Sequence, residues 1–296
     1  MKKIAVLLAA YNGTRWIGEQ IASILQQENV DVTIYISVDL STDGTHQLCK
    51  SLCGSNNRII VLPYGERFGG AAANFYRLIK DVDFSEFDFI SLADQDDIWN
   101  KDKLCTGIQY LAKYDAYSSN VDAFWENGKS IVIKKSQPQV EYDFLFEAAG
   151  PGCTYIINTR CALAFKEFII NNWSQVSKID YHDWLFYAFA RSYGYSWFID
   201  PKAGMRYRQH ENNQVGANHS LKAALKRLYL IKTKWYRCEV LKICKILSDK
   251  VDPPFKKALD SSIYFEKVRL LLYINKLRRK TNDRLFLAIA IIANIF

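Results

Sequence analysis

Asp88-Phe89-Ile90-Ser91-Leu92-Ala93-Asp94-Gln95-Asp96-Asp97-Ile98-Trp99 sets two patterns back to back. Residues 88–93 form a short, mostly apolar run, as expected of a strand buried on both faces of a parallel sheet. Asp94-Gln95-Asp96-Asp97 then places three carboxylates in four residues, which repel one another unless something positive gathers them. A hard divalent cation takes oxygen ligands and commonly shares them with substrate phosphates. On that reading the alternate carboxylates, Asp94 and Asp96, face one site at the strand's tip. The plainer alternative is a solvated acidic turn capping the helix near Trp99.

Working back from this stretch, Ile4–Ala10, Val32–Val38 and Arg58–Pro63 read as three more strands. Helices are expected between them, at about Arg15–Gln27, Thr45–Leu52 and Ala71–Lys80. Thr14 is placed to cap the first helix, whose Trp16, Ile17, Ile21, Ile24 and Leu25 share one face. The order β-α-β-α-β-α-β predicts a doubly wound α/β sheet, which binds ligands beyond the carboxyl ends of its strands. Asn12, Asp39, Arg67 and Asp94 all follow strand ends, so four polar groups are expected along one edge. Working forward, residues 121–158 read as strands and loops, Asp183–Tyr193 as a helix and Trp197–Ile199 as a short strand. The chain beyond Ser220 reads as helical, with a break at Asp252-Pro253-Pro254.

Charge divides the chain. Of its 296 residues, 221–296 carry 18 Lys and Arg against 6 Asp and Glu, whereas 1–220 carry 21 against 25. A basic tail suits a polyanion, either nucleic acid or an anionic membrane leaflet. The tail is as apolar as it is basic and no nucleic-acid motif accompanies it, so nucleic acid is not the expected partner. Leu285–Phe296 has only Asn294 as a polar residue, too short to span a bilayer but long enough to lie in its interface. The other expectation is a helical bundle that closes over the catalytic part, its apolar end packed inside or in a homodimer. The seven cysteines show no metal-ligand spacing and read as reduced thiols of a cytoplasmic protein. Ile4–Ala10 is too short, and lacks the cleavage signal, for a secretory leader.

Ala9-Ala10-Tyr11-Asn12-Gly13, Asp39-Leu40-Ser41-Thr42-Asp43-Gly44 and Asp94-Gln95-Asp96-Asp97-Ile98-Trp99 agree in order, spacing and strand context. Together they resemble family 2 of the glycosyltransferases, whose GT-A fold is a Rossmann-like, mostly parallel sheet flanked by helices. Gly150-Pro151-Gly152-Cys153-Thr154, His182-Asp183-Trp184 and Tyr207-Arg208-Gln209-His210 extend the likeness to about residue 218. This later set looks like the rhamnosyltransferase-like branch of bacterial surface-polysaccharide synthesis, such as O-antigen or capsule. Two parts are therefore expected: a GT-A domain over 1–219, and a basic, amphipathic helical tail over 220–296 that the resemblance does not reach.

The resemblance implies an inverting, metal-dependent transfer of a sugar, rhamnose being the first choice. The donor would be a nucleoside-diphosphate sugar, the acceptor a lipid-linked or free glycan, and the cofactor Mn²⁺ or Mg²⁺. Ala9 and Tyr11 would line the base pocket, with Asn12 beside them, and Asp39 would hydrogen-bond the base. Arg67, Gly70 and Asn74 would meet the nucleotide or donor sugar. Asp94 and Asp96 would form the metal-and-ribose motif with Asp96 the direct ligand, and Asp97 would contact the donor sugar. Where the family usually has Asp-Asp-Gly-Ser, this chain has Val38-Asp39-Leu40-Ser41, lacking one carboxylate and a turn glycine.

Asp183 is read as the catalytic base, because an inverting transfer needs a carboxylate to take the acceptor hydroxyl's proton. At a helix start an Asp also serves as a plain N-cap. His210, in a polar and basic setting, is read as a metal or diphosphate ligand, against the alternative of a structural imidazole. Gly152, Cys153 and Trp184 are assigned to the acceptor side; a plain turn and a core tryptophan are the alternatives. Two other classes stay open: a nucleotidyltransferase, for which Tyr11-Asn12-Gly13-Thr14 is a poor phosphate cradle, and a nucleotide-sugar-binding module without turnover.

Overall fold

The computed structural model describes residues 1–210, 230 and 232–296. Seven strands form the main sheet: β1 (Lys2–Ala10), β2 (Val30–Val38), β3 (Ile59–Val61), β4 (Phe89–Ala93), β6 (Ala116–Ser119), β9 (Ile156–Asn158) and β10 (Trp197–Asp200), in the order β10-β6-β9-β4-β1-β2-β3. β4, β1, β2 and β3 are mutually parallel, and β9 runs antiparallel to both β4 and β6. A second sheet of β5 (Ile98–Trp99), β11 (Met205–Arg208), β7 (Val121–Phe124) and β8 (Ser130–Ile133) follows the tip of β4.

The apolar run of β1 explains its central place. Ile4, Val6, Leu8 and Ala10 face one layer, where Ile17, Ile21 and Ile24 of α1 (Ile17–Leu25) and Cys49 of α2 (Thr45–Ser55) pack with them. Ala5, Leu7 and Ala9 face the other, against Phe75, Leu78 and Ile79 of α3 (Ala71–Asp81) and Leu185 and Phe189 of α7 (His182–Ser192). Alternation puts a side chain in each layer at every step. Each fully buried Val, Leu or Ile contributes about 1.5–3 kcal/mol. The remaining early helices are α4 (Lys103–Tyr110), α5 (Thr159–Asn171) and α6 (Trp173–Val176).

Thr14 does not cap α1. Its hydroxyl and backbone N–H are both taken by Asp43 Oδ2, at 2.7 and 3.0 Å, so residues 14–16 form a turn and the helix starts at Ile17, two residues later than expected.

Beyond the 219/220 boundary, which lies outside the described residues, come α8 (Trp235–Ile246), α9 (Lys256–Asp260), α10 (Tyr264–Val268), a 3₁₀ segment Arg269–Tyr273, α11 (Ile274–Leu277) and α12 (Thr281–Ile292). The expected break falls between α8 and α9. These helices share the apolar core of the α3/α7 layer: Val240, Ile243, Leu247, Phe255, Leu277, Leu287 and Phe296 are buried in it. The Trp184 ring stacks on Tyr236 at 5.7 Å, and Phe146 lies 6.5 Å from Phe296. No described helix is long and apolar enough to cross a membrane.

Candidate active site

Parallel pairing aligns the strand tips. Ala10 is level with Val38, and Leu8 with Ala93, so Tyr11, Asp39 and Asp94 emerge side by side. Each tip is then tied to its neighbour. Asn12, at φ 46°, donates its backbone N–H to Ser41 Oγ (3.1 Å) and accepts from Thr42 N–H at its side-chain oxygen (2.9 Å). The Asp39 carboxylate accepts from the N–H groups of Leu40 (2.7 Å), Phe68 (2.8 Å) and Gly69 (3.0 Å), which folds the 62–70 loop back over the edge. Arg67 rides exposed on that loop, and Gly70 precedes α3. Asn74 is buried and donates to Ala10 O (3.3 Å) and Ser37 O (3.0 Å), bracing the ends of β1 and β2. Ala9 is buried, and the Tyr11 ring is 52% exposed.

Gln95 had no role in the sequence reading. Its amide pairs with the backbone of Tyr11 in both directions, accepting from N–H at 2.7 Å and donating to C=O at 2.8 Å. That clip joins the 11–13 turn to the acidic loop. A Cβ at position 13 would meet the Gln95 amide at 2.2 Å and displace the clip.

The acidic loop splits its carboxylates. Ligand atoms of Asp94, Asp97 and Cys153 all lie within 4.8 Å of one another. Burial, then the neighbouring Asp96 carboxylate, pushes both Asp94 and Asp97 up from the usual range. Asp97 Oδ1 accepts from Arg208 N–H (3.1 Å), while its buried Oδ2 has no hydrogen-bond partner among the described residues. Asp96 turns to the second sheet, where His210 Nε2 lies 2.6 Å from its Oδ2. The His210 ring stacks on Trp16 at 4.3 Å, and Arg208 Nε donates to Asp96 O (2.7 Å) and pairs with Glu19. Asp94 thus groups with Asp97 and Cys153, while Asp96 beside them meets His210. Behind them lies a cation the sequence reading missed: Lys103, buried against the Trp99 ring (3.3 Å) and 3.5 Å from Ser91 Oγ, its amine pushed down to about 7 by burial. Clustered carboxylates and an adjacent imidazole suit a hard divalent cation.

Asp183 lies in the first turn of α7. Its carboxylate accepts from Trp184 N–H (2.8 Å) and is also held by the Gly152 N–H, yet burial dominates and pushes it up to about 6. It keeps part of its surface open. Gly152 presses on the His182 ring: a Cβ there would sit 2.6 Å from Nε2 and 3.1 Å from Asp183 Cβ. His182 is stacked on Phe75 at 3.9 Å and kept neutral by burial, its pKa pushed down to about 3. Cys153, next to Gly152, is fully buried beside the carboxylates. Trp184 is 5% exposed and donates its indole N–H to Phe144 O (3.0 Å), so its ring is part of the core and presents no open sugar platform. Asn212, Asn213 and His219 lie outside the described residues.

A parallel sheet edge carrying acidic, amide and aromatic groups, with a half-buried carboxylate nearby, is the kind of site a nucleotide-sugar transferase uses. Residues 5–169 match the family model Glycosyl transferase family 2, and the chain belongs to that family. It is a glycosyltransferase of polysaccharide synthesis, which sets aside the nucleotidyltransferase and the inert module. Among curated relatives, the dTDP-rhamnosyl transferase RfbG of Shigella flexneri is 49% identical over 98% of this chain and 100% of its own. The UDP-Glc:alpha-D-GlcNAc-diphosphoundecaprenol beta-1,3-glucosyltransferase WfaP of Escherichia coli is 24% identical over 62% of this chain and 70% of its own. Among solved structures, S. aureus TarS 1–349 superposes with a TM-score of 0.56 at 14% identity, covering 100% of this chain and 81% of that one. The fold is thus the expected GT-A fold.

Proposed function

We propose that the chain transfers rhamnose from dTDP-rhamnose, with inversion, to a glycan acceptor carried on a lipid at the inner face of the cytoplasmic membrane. The observation that carries the chemistry is the meeting of two loops. Cys153 lies among the carboxylates of Asp94 and Asp97, and Gly152, one residue before it, touches Asp183. A donor whose diphosphate lay at the acidic loop would therefore present its sugar to Asp183. The choice of rhamnose and of dTDP rests on the near full-length likeness to the rhamnosyl transferase.

In this reading Tyr11 stacks on the base, while Asn12, Asp39 and the 62–70 loop with Arg67 and Gly70 shape its pocket. Ala9 and Asn74 set the strand ends from behind. Mn²⁺ or Mg²⁺, held by Asp96 and His210 beside Asp94 and Asp97, would offset charge on the leaving nucleoside diphosphate. Asp183 takes the acceptor hydroxyl's proton as that oxygen attacks the anomeric carbon. Gly152 and Cys153 belong to the wall that the acceptor meets, and Trp184 supports that wall from the core.

The membrane contact is assigned to α12 and its surroundings. Leu287 and Ile291 point into the core, whereas Leu285, Phe286, Ile289 and Ile292 are exposed along the opposite face. The Tyr264 hydroxyl donates to Ile292 O (2.9 Å), which brings exposed Ile263 and Phe265 alongside. A helix apolar on both faces, too short to span, suits the headgroup boundary. A thermal-shift screen of dTDP-, UDP- and GDP-sugars with and without manganese tests the donor. The largest stabilisation is expected from dTDP-rhamnose with the metal, and a preference for UDP- or GDP-sugars would overturn the choice.

A further inference from the structure

Arg279 stands in the tail, beyond the reach of every motif above, yet its side chain is completely buried. Its backbone N–H donates to Glu147 Oε1 (2.7 Å), and its Nη2 donates to Ala148 O (2.6 Å) and Glu147 Oε2 (3.3 Å). Nε lies 3.6 Å from Oδ2 of the equally buried Asp143, an oxygen that also accepts from the Tyr187 hydroxyl (2.9 Å), while Arg191 of α7 donates to Oδ1 (3.0 Å). Arg278 repeats the pattern, donating to Phe146 O (2.9 Å) and Tyr236 Oη (2.8 Å) and pairing with Asp283 (2.9 Å). Two consecutive tail arginines therefore hold the backbone carbonyls of residues 146 and 148, and the acidic side chains at 143 and 147.

That segment runs directly into Gly150-Pro151-Gly152, and Gly152 packs against Asp183, where an added Cβ would lie 3.1 Å from Asp183 Cβ. A guanidinium whose Nη2 donates to one carboxylate and one carbonyl, with a second carboxylate 3.6 Å from Nε, holds that segment with a planar geometry that a flexible ammonium lacks. We infer that Arg279 is a positioning residue of the active site: through Glu147 and Ala148 it sets the loop that brings Gly152 against Asp183. The tail thereby completes the acceptor side of the site. This inference rests on the proposed role of Asp183, and it accounts for tail cations that membrane binding does not use.

The test is Arg279→Lys in the full chain, with Glu147→Gln as a milder second variant. Hydrogen–deuterium exchange is followed in peptides covering 148–156 and 5–13, with no donor needed. Release of nucleoside diphosphate from dTDP-rhamnose, with water as acceptor, is measured per dTDP-binding site titrated with manganese, and Asp183→Asn is the control. The expected result is faster exchange confined to 148–156, an unchanged Kd for dTDP, and turnover per binding site roughly tenfold to a hundredfold lower, the scale at which small misplacements act. Unchanged exchange over 148–156 in both variants overturns the inference, as does full turnover per site with only a smaller folded fraction. Retained hydrolysis in Asp183→Asn removes the base assignment instead, and the exchange measurement still decides whether the clamp exists.

Discussion

At the scale of single residues, Asp183 must be ionised to accept a proton, and burial delays that ionisation to about pH 6. The transfer rate should therefore fall as pH drops through about 6, read from the acid limb of kcat; a rate flat down to pH 4.5 would remove Asp183 as the base. The same shift has a stability sign. A carboxyl raised in the folded state binds its proton more tightly there than in the unfolded chain. Its stabilising contribution is complete below about 4, the ordinary Asp value, and is lost as pH rises through about 6. Asp183→Asn should thus have a higher Tm than the parent at pH 8, and the gap should close by pH 4; an equal Tm at both would contradict the burial argument. The place of Asp183 at a helix start was legible in His182-Asp183-Trp184, which opens α7. Gln95 and Lys103 were not, since their partners depend on contacts the chain makes only when folded: Gln95 meets Tyr11 across 84 residues. Trp184 was assigned to the acceptor side but lies in the core, because an aromatic beside a carboxylate suits a sugar platform and a core position equally well by composition.

At the scale of elements, the parallel strands were the most legible part, because strands buried on both faces show as continuous apolar runs. Their ends fell within two residues of expectation. The start of α1 fell two residues late, since a hydroxyl that caps a helix in principle is drawn off by Asp43 across the edge. Of the second sheet, β7 and β8 fell within residues read as strands and loops, whereas β5 and β11 were not legible, and β11 is what leads His210 to Asp96. The Gly150–Thr154 segment folds into a 3₁₀ turn over Gly152–Thr154 that fits only without a side chain at 152. His182 cannot yield to a new Cβ, because its ring is stacked on Phe75. Gly152→Ala should cost about 1–3 kcal/mol of stability, the usual range for overpacking, and displace Asp183 as well. Denaturant midpoints and kcat for the folded variant check this; an alanine variant with parental stability and turnover would show that the close approach is relaxed in solution.

At the scale of the whole molecule, the excess of positive charge in residues 221–296 first suggested a polyanion. In the folded chain several of those cations point inward. Arg237 donates to Leu259 O and Ser261 O, Lys267 to Asn294 Oδ1, and Arg284 to Arg278 O. Net charge is visible in a sequence, but the use to which each charge is put is not. Membrane affinity should then depend more on the apolar face of α12 than on charge. Replacing Leu285, Phe286, Ile289 and Ile292 with serine should abolish flotation with anionic liposomes while leaving Tm close to the parent, because these side chains touch little of the core. Undiminished flotation of that variant would remove the anchor. The account as a whole stands on a diphosphate and a divalent cation meeting at the tip of β4. The direct measurement is calorimetric titration of dTDP into the full chain with manganese and with a chelator, repeated on Asp96→Ala. Binding that needs manganese in the parent, and is lost or weakened at least about tenfold, roughly 1.4 kcal/mol, in the variant, is the predicted result. Equal affinity in all three conditions would contradict it.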